Sequence, residues 1–178
     1  MEIVPLVIPF SEKFLLTCTQ IRSRVYQNHV EFAGSISEDG FTCMEGQTDR
    51  VLADLKALFS WHYHPGNKLE FSLSDWIVFV LSGSRITALF TDSRVLLLSK
   101  DYPEDRCSAL KEELLRVCRQ DSRYPALIFV KTIRLMNRFF NCAFESDRLE
   151  DICRRAGFSF GYLKFMEGVG YVPDTGNE

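Results

Sequence analysis

The chain lacks several features that usually identify a protein's class. Its 178 residues include six cysteines, yet no two form a Cys-x-x-Cys pair, which argues against a zinc site built from paired thiolates. The N-terminus lacks the basic start and long apolar stretch of a signal peptide. No apolar run reaches the roughly 18 residues needed to cross a bilayer. We therefore expect a cytoplasmic protein with no membrane partner. Buried free thiols are expected at Cys18, Cys107, Cys118 and Cys153.

The chain also lacks a strong excess of charge of either sign. Lysine and arginine number 21 and aspartate and glutamate 24, for a net charge of -3. The field of the whole chain does not favour non-specific binding to nucleic acid, so no specific nucleic-acid partner is expected. The hydrophobic share of 46% is ordinary for a globular protein of this length. We predict a single domain over residues 1–178, with a core at about 3–100.

The order of periodic segments predicts a mixed architecture. Alternating and continuous apolar runs indicate strands, and apolar positions at steps of three and four indicate helices. Strands are expected near residues 3–8, 31–37, 40–45, 58–63, 86–90 and 95–99, and helices near residues 11–27, 48–55 and 72–82. A helical C-terminal extension is expected over about 101–172. This pattern indicates an α/β (α+β) fold, with a mixed β-sheet flanked by helices.

Two of the three histidines lie close together, at His62 and His64. Residues two apart on a strand point to the same face, so both imidazoles can bind one ion. Seven residues separate His64 from Ser72, and Asp75 follows three residues after Ser72 on an expected helix, where the two are neighbours. Two imidazoles and a carboxylate leave the fourth position of a zinc ion open, as in a catalytic site.

The same residues have an ordinary structural interpretation. Ser72 can cap the N-terminus of a helix, with Asp75 in its first turn, where the helix dipole favours negative charge. The two histidines can be hydrogen-bonded residues with no metal. Capping and catalysis are compatible, because a capping Ser72 is held in place.

The pattern resembles the signature of the JAMM (MPN-plus) zinc metallopeptidase family, in particular its small bacterial members. The resemblance rests on two motifs, W-H-x-H-P-G at residues 61–66 and S-x-x-D-W at residues 72–76. The family also uses a glutamate within the motif E-x-x-G-x-I. Residues 31–36 match this motif, so the resemblance implies a catalytic role for Glu31. It further implies an MPN-like domain that binds Zn²⁺ through His62, His64 and Asp75.

The resemblance implies an activity and a partner as well. Glu31 is expected to act as general base and acid on the attacking water, and Ser72 to donate a hydrogen bond to the developing oxyanion. The expected substrate bond is the amide after the C-terminal glycine of ubiquitin or a ubiquitin-like protein. Two alternatives stay open: a non-catalytic MPN-type scaffold, and a RadC-like protein associated with DNA, which shares the H-x-H-P and S-x-x-D spacing.

Overall fold

The computed structural model describes residues 11–46, 57–121 and 123–174 of a mixed α/β protein. Contacts divide the chain into two compact units. The first comprises the described residues up to Glu70, together with 83–99 and those from Ser159 onward. The second comprises 71–82 and 100–158. Across the described residues, no helix combines the length and the hydropathy that a bilayer crossing requires.

The first unit begins with helix α1, Glu12–Val25. Ser11 caps it, because its side-chain oxygen accepts a hydrogen bond from the Phe14 N–H at 3.2 Å. Cys18, Ile21 and Val25 are fully buried and share one side of the helix at spacings of three and four. The helix predicted over residues 11–27 is confirmed.

A mixed sheet forms the rest of the first unit. Its strands are β1 (Phe32–Ser37), β2 (Gly40–Phe41), β3 (Met44–Glu45), β4 (Phe59–Tyr63), β5 (Ile86–Phe90), β6 (Arg94–Lys100), β7 (Phe158–Met166) and β8 (Gly170–Pro173). They lie in the order β2-β1-β4-β5-β6-β7-β8, with β3 also paired to β1. β4 runs antiparallel to β1 and parallel to β5, so it is an interior strand. An interior strand is hydrogen-bonded along both edges and holds its side chains in fixed positions.

One face of this sheet packs against α1. Trp61 and Tyr63 on β4 join Phe90, Leu97 and the buried side of α1 in one hydrophobic cluster. Burying each large side chain contributes about 1.5–3 kcal/mol relative to exposure. Because side chains alternate along a strand, His62 and His64 lie on the opposite face from this cluster.

The second unit is helical. It contains α2 (Leu73–Leu81), a short 3-10 helix (Glu104–Cys107), α3 (Ser108–Gln120), α4 (Pro125–Phe140) and α5 (Leu149–Ala156). Its interior is aromatic: the Trp76 ring lies 5.1 Å from Phe144 and 6.0 Å from Phe158, and Phe79 lies 5.2 Å from Phe158. Gly157 ends α5 in the left-handed region, at φ 76°, which glycine adopts without strain.

The expectation of a helical extension over residues 101–172 is wrong in its last part. Helices end at Ala156, and β7 and β8 follow as an antiparallel pair. The turn between them contains Gly168, and Gly170 begins β8; both are at positive φ, and Tyr171 is buried in the cluster of the first unit. Glycine in a short turn between two such runs is typical of a hairpin.

The single strand predicted over residues 40–45 is divided into β2 and β3 at Thr42. The Thr42 carbonyl accepts from the Trp61 indole, and the Ser35 N–H donates to Thr42 Oγ1 instead of to that carbonyl, which interrupts the backbone pairing with β1. The strand predicted at 3–8 and the helix at 48–55 lie outside the described residues. The strands predicted over residues 86–90 and 95–99 are confirmed as β5 and β6, which pair antiparallel as a hairpin.

Candidate metal centre

The register of β1 against β4 sets the position of Glu31. Ala33 pairs with His62 and Phe32 pairs with Tyr63, so Glu31, the residue before β1, lies opposite His64. Directly opposed residues of an antiparallel pair share a face. The Glu31 Oε1 atom accordingly lies 3.8 Å from His64 Nε2, with both side chains less than one-fifth exposed. The structure therefore places Glu31 beside the histidine pair.

His62 lies on β4, and His64 directly follows the end of this strand. Their ring centroids lie 4.9 Å apart. The His64 backbone N–H donates to the Phe90 carbonyl at 2.9 Å, which extends the pairing with β5 by one residue. Pro65 and Gly66 then turn the chain, with Gly66 at φ 81°. The prediction that residues 62 and 64 share one strand face agrees with β4 as it is observed.

Ser72 and Asp75 form a capping box at the start of α2. The Asp75 N–H donates to Ser72 Oγ at 3.2 Å, and the Ser72 N–H donates to Asp75 Oδ2 at 2.7 Å. The ordinary interpretation of this pair is thus confirmed. The capping role is compatible with a second role, because a carboxylate has two oxygens and about four lone-pair sites. The box also fixes the direction in which the Asp75 carboxylate points.

His62, His64 and Asp75 are brought together. One imidazole nitrogen from each histidine and one carboxylate oxygen of Asp75 all lie within 4.8 Å of one another. A tetrahedral zinc ion with ligands at about 2.0–2.1 Å keeps them roughly 3.3 Å apart, so modest side-chain rotations bring all three onto one ion. Two imidazole nitrogens and one carboxylate oxygen are ligand types that zinc binds in proteins. The three residues can hold a metal ion.

Three cysteines have thiols whose pKa is raised by burial, so they do not supply a reactive thiolate. Burial raises the pKa of Cys18 and of Cys153 to about 12, and that of Cys142 to about 11. A thiol with such a pKa stays protonated at neutral pH and is a poor nucleophile. The expectation of burial is confirmed for Cys18, Cys107 and Cys153 but wrong for Cys118, which is exposed on α3.

Gly34 has a structural role that the sequence motif alone did not explain. A Cβ atom at this position would lie 1.9 Å from the Thr42 carbonyl oxygen and 2.7 Å from Trp61 Nε1. These two atoms already form a hydrogen bond of 3.1 Å across the sheet. Glycine three residues after Glu31 therefore allows the close approach that keeps β1 in register with β4.

Gly34→Ala is expected to destabilise the protein by about 3 kcal/mol, at the upper end of ordinary overpacking, because the clash is with backbone. Urea unfolding of the metal-free protein measures this. Ser37→Ala, at the exposed end of the same strand, is the matched control and is expected to change stability by less than about 0.5 kcal/mol. Equal stabilities for the two variants would contradict this account of Gly34.

Comparisons with known proteins add no further assignment. A scan against family models, a search of curated proteins and a search of solved structures each gave no match. The observations that bear on function are the geometry of these residues and the resemblance of their spacing.

Proposed function

We propose that this chain is a zinc-dependent metallopeptidase of the JAMM (MPN-plus) type. In this proposal it hydrolyses the amide or isopeptide bond after the C-terminal glycine of ubiquitin or a ubiquitin-like protein. The observation that carries the proposal is the convergence of His62, His64 and Asp75 within 4.8 Å, with Glu31 at 3.8 Å from His64. Structural histidine pairs do not require a glutamate and an aspartate beside them.

The donor set suits a catalytic ion. His62, His64 and Asp75 would hold zinc, and three protein ligands leave one position for water or substrate. Zinc, when bound, supplies a Lewis acid that lowers the pKa of a bound water to about 7 and polarises a carbonyl. An ion held by four protein ligands would have a structural role instead.

Glu31 is the proposed general base and acid. It lies beside His64 and is not a member of the ligand triad, so in this proposal its role is toward the attacking water and not toward the ion. In the proposed reaction the carboxylate accepts a proton from water and then delivers it to the amine that leaves. A single positioned group of this kind contributes about 10²–10⁴-fold to the rate.

Ser72 is the proposed hydrogen-bond donor to the oxyanion. Its oxygen accepts the Asp75 N–H, so its own hydrogen can be donated to a substrate oxygen. The capping box holds this hydroxyl at the start of α2, where the helix dipole also favours negative charge. A fixed donor stabilises charge that develops in the transition state without reorganisation during the reaction.

Ser72→Ala is expected to lower kcat by about 10²–10³-fold while zinc stays bound. Loss of the cap should also lower the free energy of unfolding by about 1 kcal/mol. Ser72→Thr keeps the hydroxyl and should recover most of the activity. Ser74→Ala, an exposed serine on the same helix, is the matched control. A Ser72→Ala variant as active as wild type would remove Ser72 from the mechanism.

The test of the proposed function uses the purified full chain with one equivalent of Zn²⁺. The substrates are C-terminal fluorogenic amides of ubiquitin and of a ubiquitin-like protein that ends in Gly-Gly. Hydrolysis that a chelator abolishes and added zinc restores is the expected result. Zinc binding without hydrolysis would favour the scaffold alternative, and tight DNA binding in that case would favour the RadC-like alternative. Hydrolysis that is insensitive to chelation would contradict the proposal.

A further inference from the structure

The hairpin turn between β5 and β6 is tied to both sides of His64. The Asp92 Oδ1 atom accepts a hydrogen bond of 2.6 Å from the Tyr63 hydroxyl. The Asp92 backbone N–H donates to the Gly66 carbonyl at 2.9 Å. Tyr63 precedes His64 and Gly66 follows it by two residues. One residue of the turn therefore anchors the chain immediately before and shortly after a candidate metal ligand.

The bond between Tyr63 and Asp92 is well placed to be strong. Tyr63 is fully buried in the cluster against α1, on the opposite face of the sheet from His64. Its ring packs against Phe32, so the hydroxyl has a fixed direction. The Tyr63 hydroxyl is the donor and the Asp92 carboxylate is the acceptor in this bond. A short bond to a carboxylate is about twice as strong as a neutral one.

Asp92 itself is held from the other side by α1 and the residues that follow it. Its carbonyl accepts from Arg22 Nε at 3.1 Å, and its carboxylate also accepts from the Gln27 N–H at 3.3 Å. The Arg22 guanidinium lies between two aromatic rings, 3.8 Å from the Tyr26 centroid and 3.7 Å from the Phe165 centroid. Asp92 is thus a junction between helix, turn and metal-bearing strand.

We propose that Asp92 is a positioning residue for the metal site, acting through Tyr63 and Gly66 to fix the backbone of His64 and so its imidazole relative to His62. The inference rests on the metal-binding part of the proposed function and not on the identity of the substrate. Neither Asp92 nor Tyr63 is placed among the metal ligands or the reacting groups. A bound ion requires its ligands within a few tenths of an ångström, so a looser His64 weakens binding.

The experiment measures Co²⁺ affinity of the metal-free full chain from the visible absorption of the bound ion. Asp92→Asn keeps the size of the side chain and removes its charge, and Tyr63→Phe removes the hydroxyl and keeps the ring. Each is expected to weaken Co²⁺ binding by about 10–100-fold, the range found when the hydrogen-bonded supports of metal ligands are changed. The double variant should be about as weak as the worse single variant, because both changes act on the same hydrogen bond between Tyr63 and Asp92, which Asp92→Asn weakens and Tyr63→Phe removes.

Tyr171→Phe is the matched control. Tyr171 is a buried tyrosine of the same hydrophobic cluster, and its loss of a hydroxyl should leave Co²⁺ affinity unchanged. Thermal unfolding without metal measures the general loss of stability separately. Tyr63→Phe should lower Tm more than Tyr171→Phe, because it removes the hydrogen bond to Asp92, yet both proteins should be folded at the temperature of the Co²⁺ titration. If the Asp92→Asn and Tyr63→Phe proteins fold and their Co²⁺ affinity is within twofold of that of wild type, the role of Asp92 is overturned and the proposed metal site is not. A wild-type chain that binds no Co²⁺ would overturn the metal-binding part of the proposed function together with the role of Asp92.

Discussion

Glu31→Gln is expected to abolish turnover, with a fall in kcat of about 10²–10⁴-fold, while zinc stays bound. Glutamine has the size and shape of glutamate but cannot accept a proton from water at neutral pH. The metal is unaffected in this account because Glu31 lies outside the triad of ligand atoms, although its carboxylate is 3.8 Å from His64. The variant thus separates proton transfer from metal binding.

The comparison needs a glutamate whose loss should have no effect. Glu45→Gln on β3 provides it, because Glu45 is exposed and belongs to the same part of the chain. Steady-state hydrolysis at saturating zinc gives kcat, and elemental analysis of the same preparations gives their zinc content. A fully active Glu31→Gln protein would show that another group is the base. A protein that lost its zinc would show instead that Glu31 supports the ligands.

His62→Ala is expected to lose both zinc and activity. Removal of one of three protein donors should weaken binding by more than the roughly 10–100-fold caused by changes in the ligands' supporting hydrogen bonds. Activity should then fall to the background of the assay, because no other residue replaces the polarising effect of the ion. Zinc titration of the metal-free variant and hydrolysis at a fixed zinc concentration measure the two losses.

The fold should survive this substitution. His62 lies on the face of β4 opposite the cluster of Trp61 and Tyr63, so the packing against α1 remains. Without metal, wild type and His62→Ala should unfold at similar temperatures. With zinc at about 100 times its Kd, only wild type should gain the roughly 2.7 kcal/mol that ligand binding contributes. His29→Ala, which changes the exposed third histidine, should behave like wild type. Global unfolding of His62→Ala would point to a structural role for the histidine.

Much of the site followed from local rules. A period of two placed His62 and His64 on one face of a strand, and the strand is observed. The interval from Ser72 to Asp75 predicted a capping pair, and the capping box is observed. Each of these patterns involves residues within four positions of one another, where backbone geometry alone decides which side chains are neighbours.

The parts that were missed depend on residues far apart in the sequence. Thr42 contacts Gly34 and Trp61 only once three segments of the sheet are paired. Asp92 bonds to Tyr63 across the sheet, and it bonds to Arg22 only once the sheet has packed on α1. Periodicity carries no information about such contacts. The β7–β8 pair was missed for a different reason, because a run of aromatic residues fits a buried helix and a buried strand equally well.

In the proposed site, two imidazoles and one carboxylate share a single metal ion. The decisive experiment is zinc titration of the metal-free full chain, followed by elemental analysis after gel filtration. Wild type is expected to retain one zinc ion per chain. Asp75→Asn, which keeps an oxygen for the capping box but removes the anionic ligand, is expected to retain far less with the fold intact. Wild-type protein that retains no zinc, or an Asp75→Asn protein that binds it as tightly as wild type, would contradict the account.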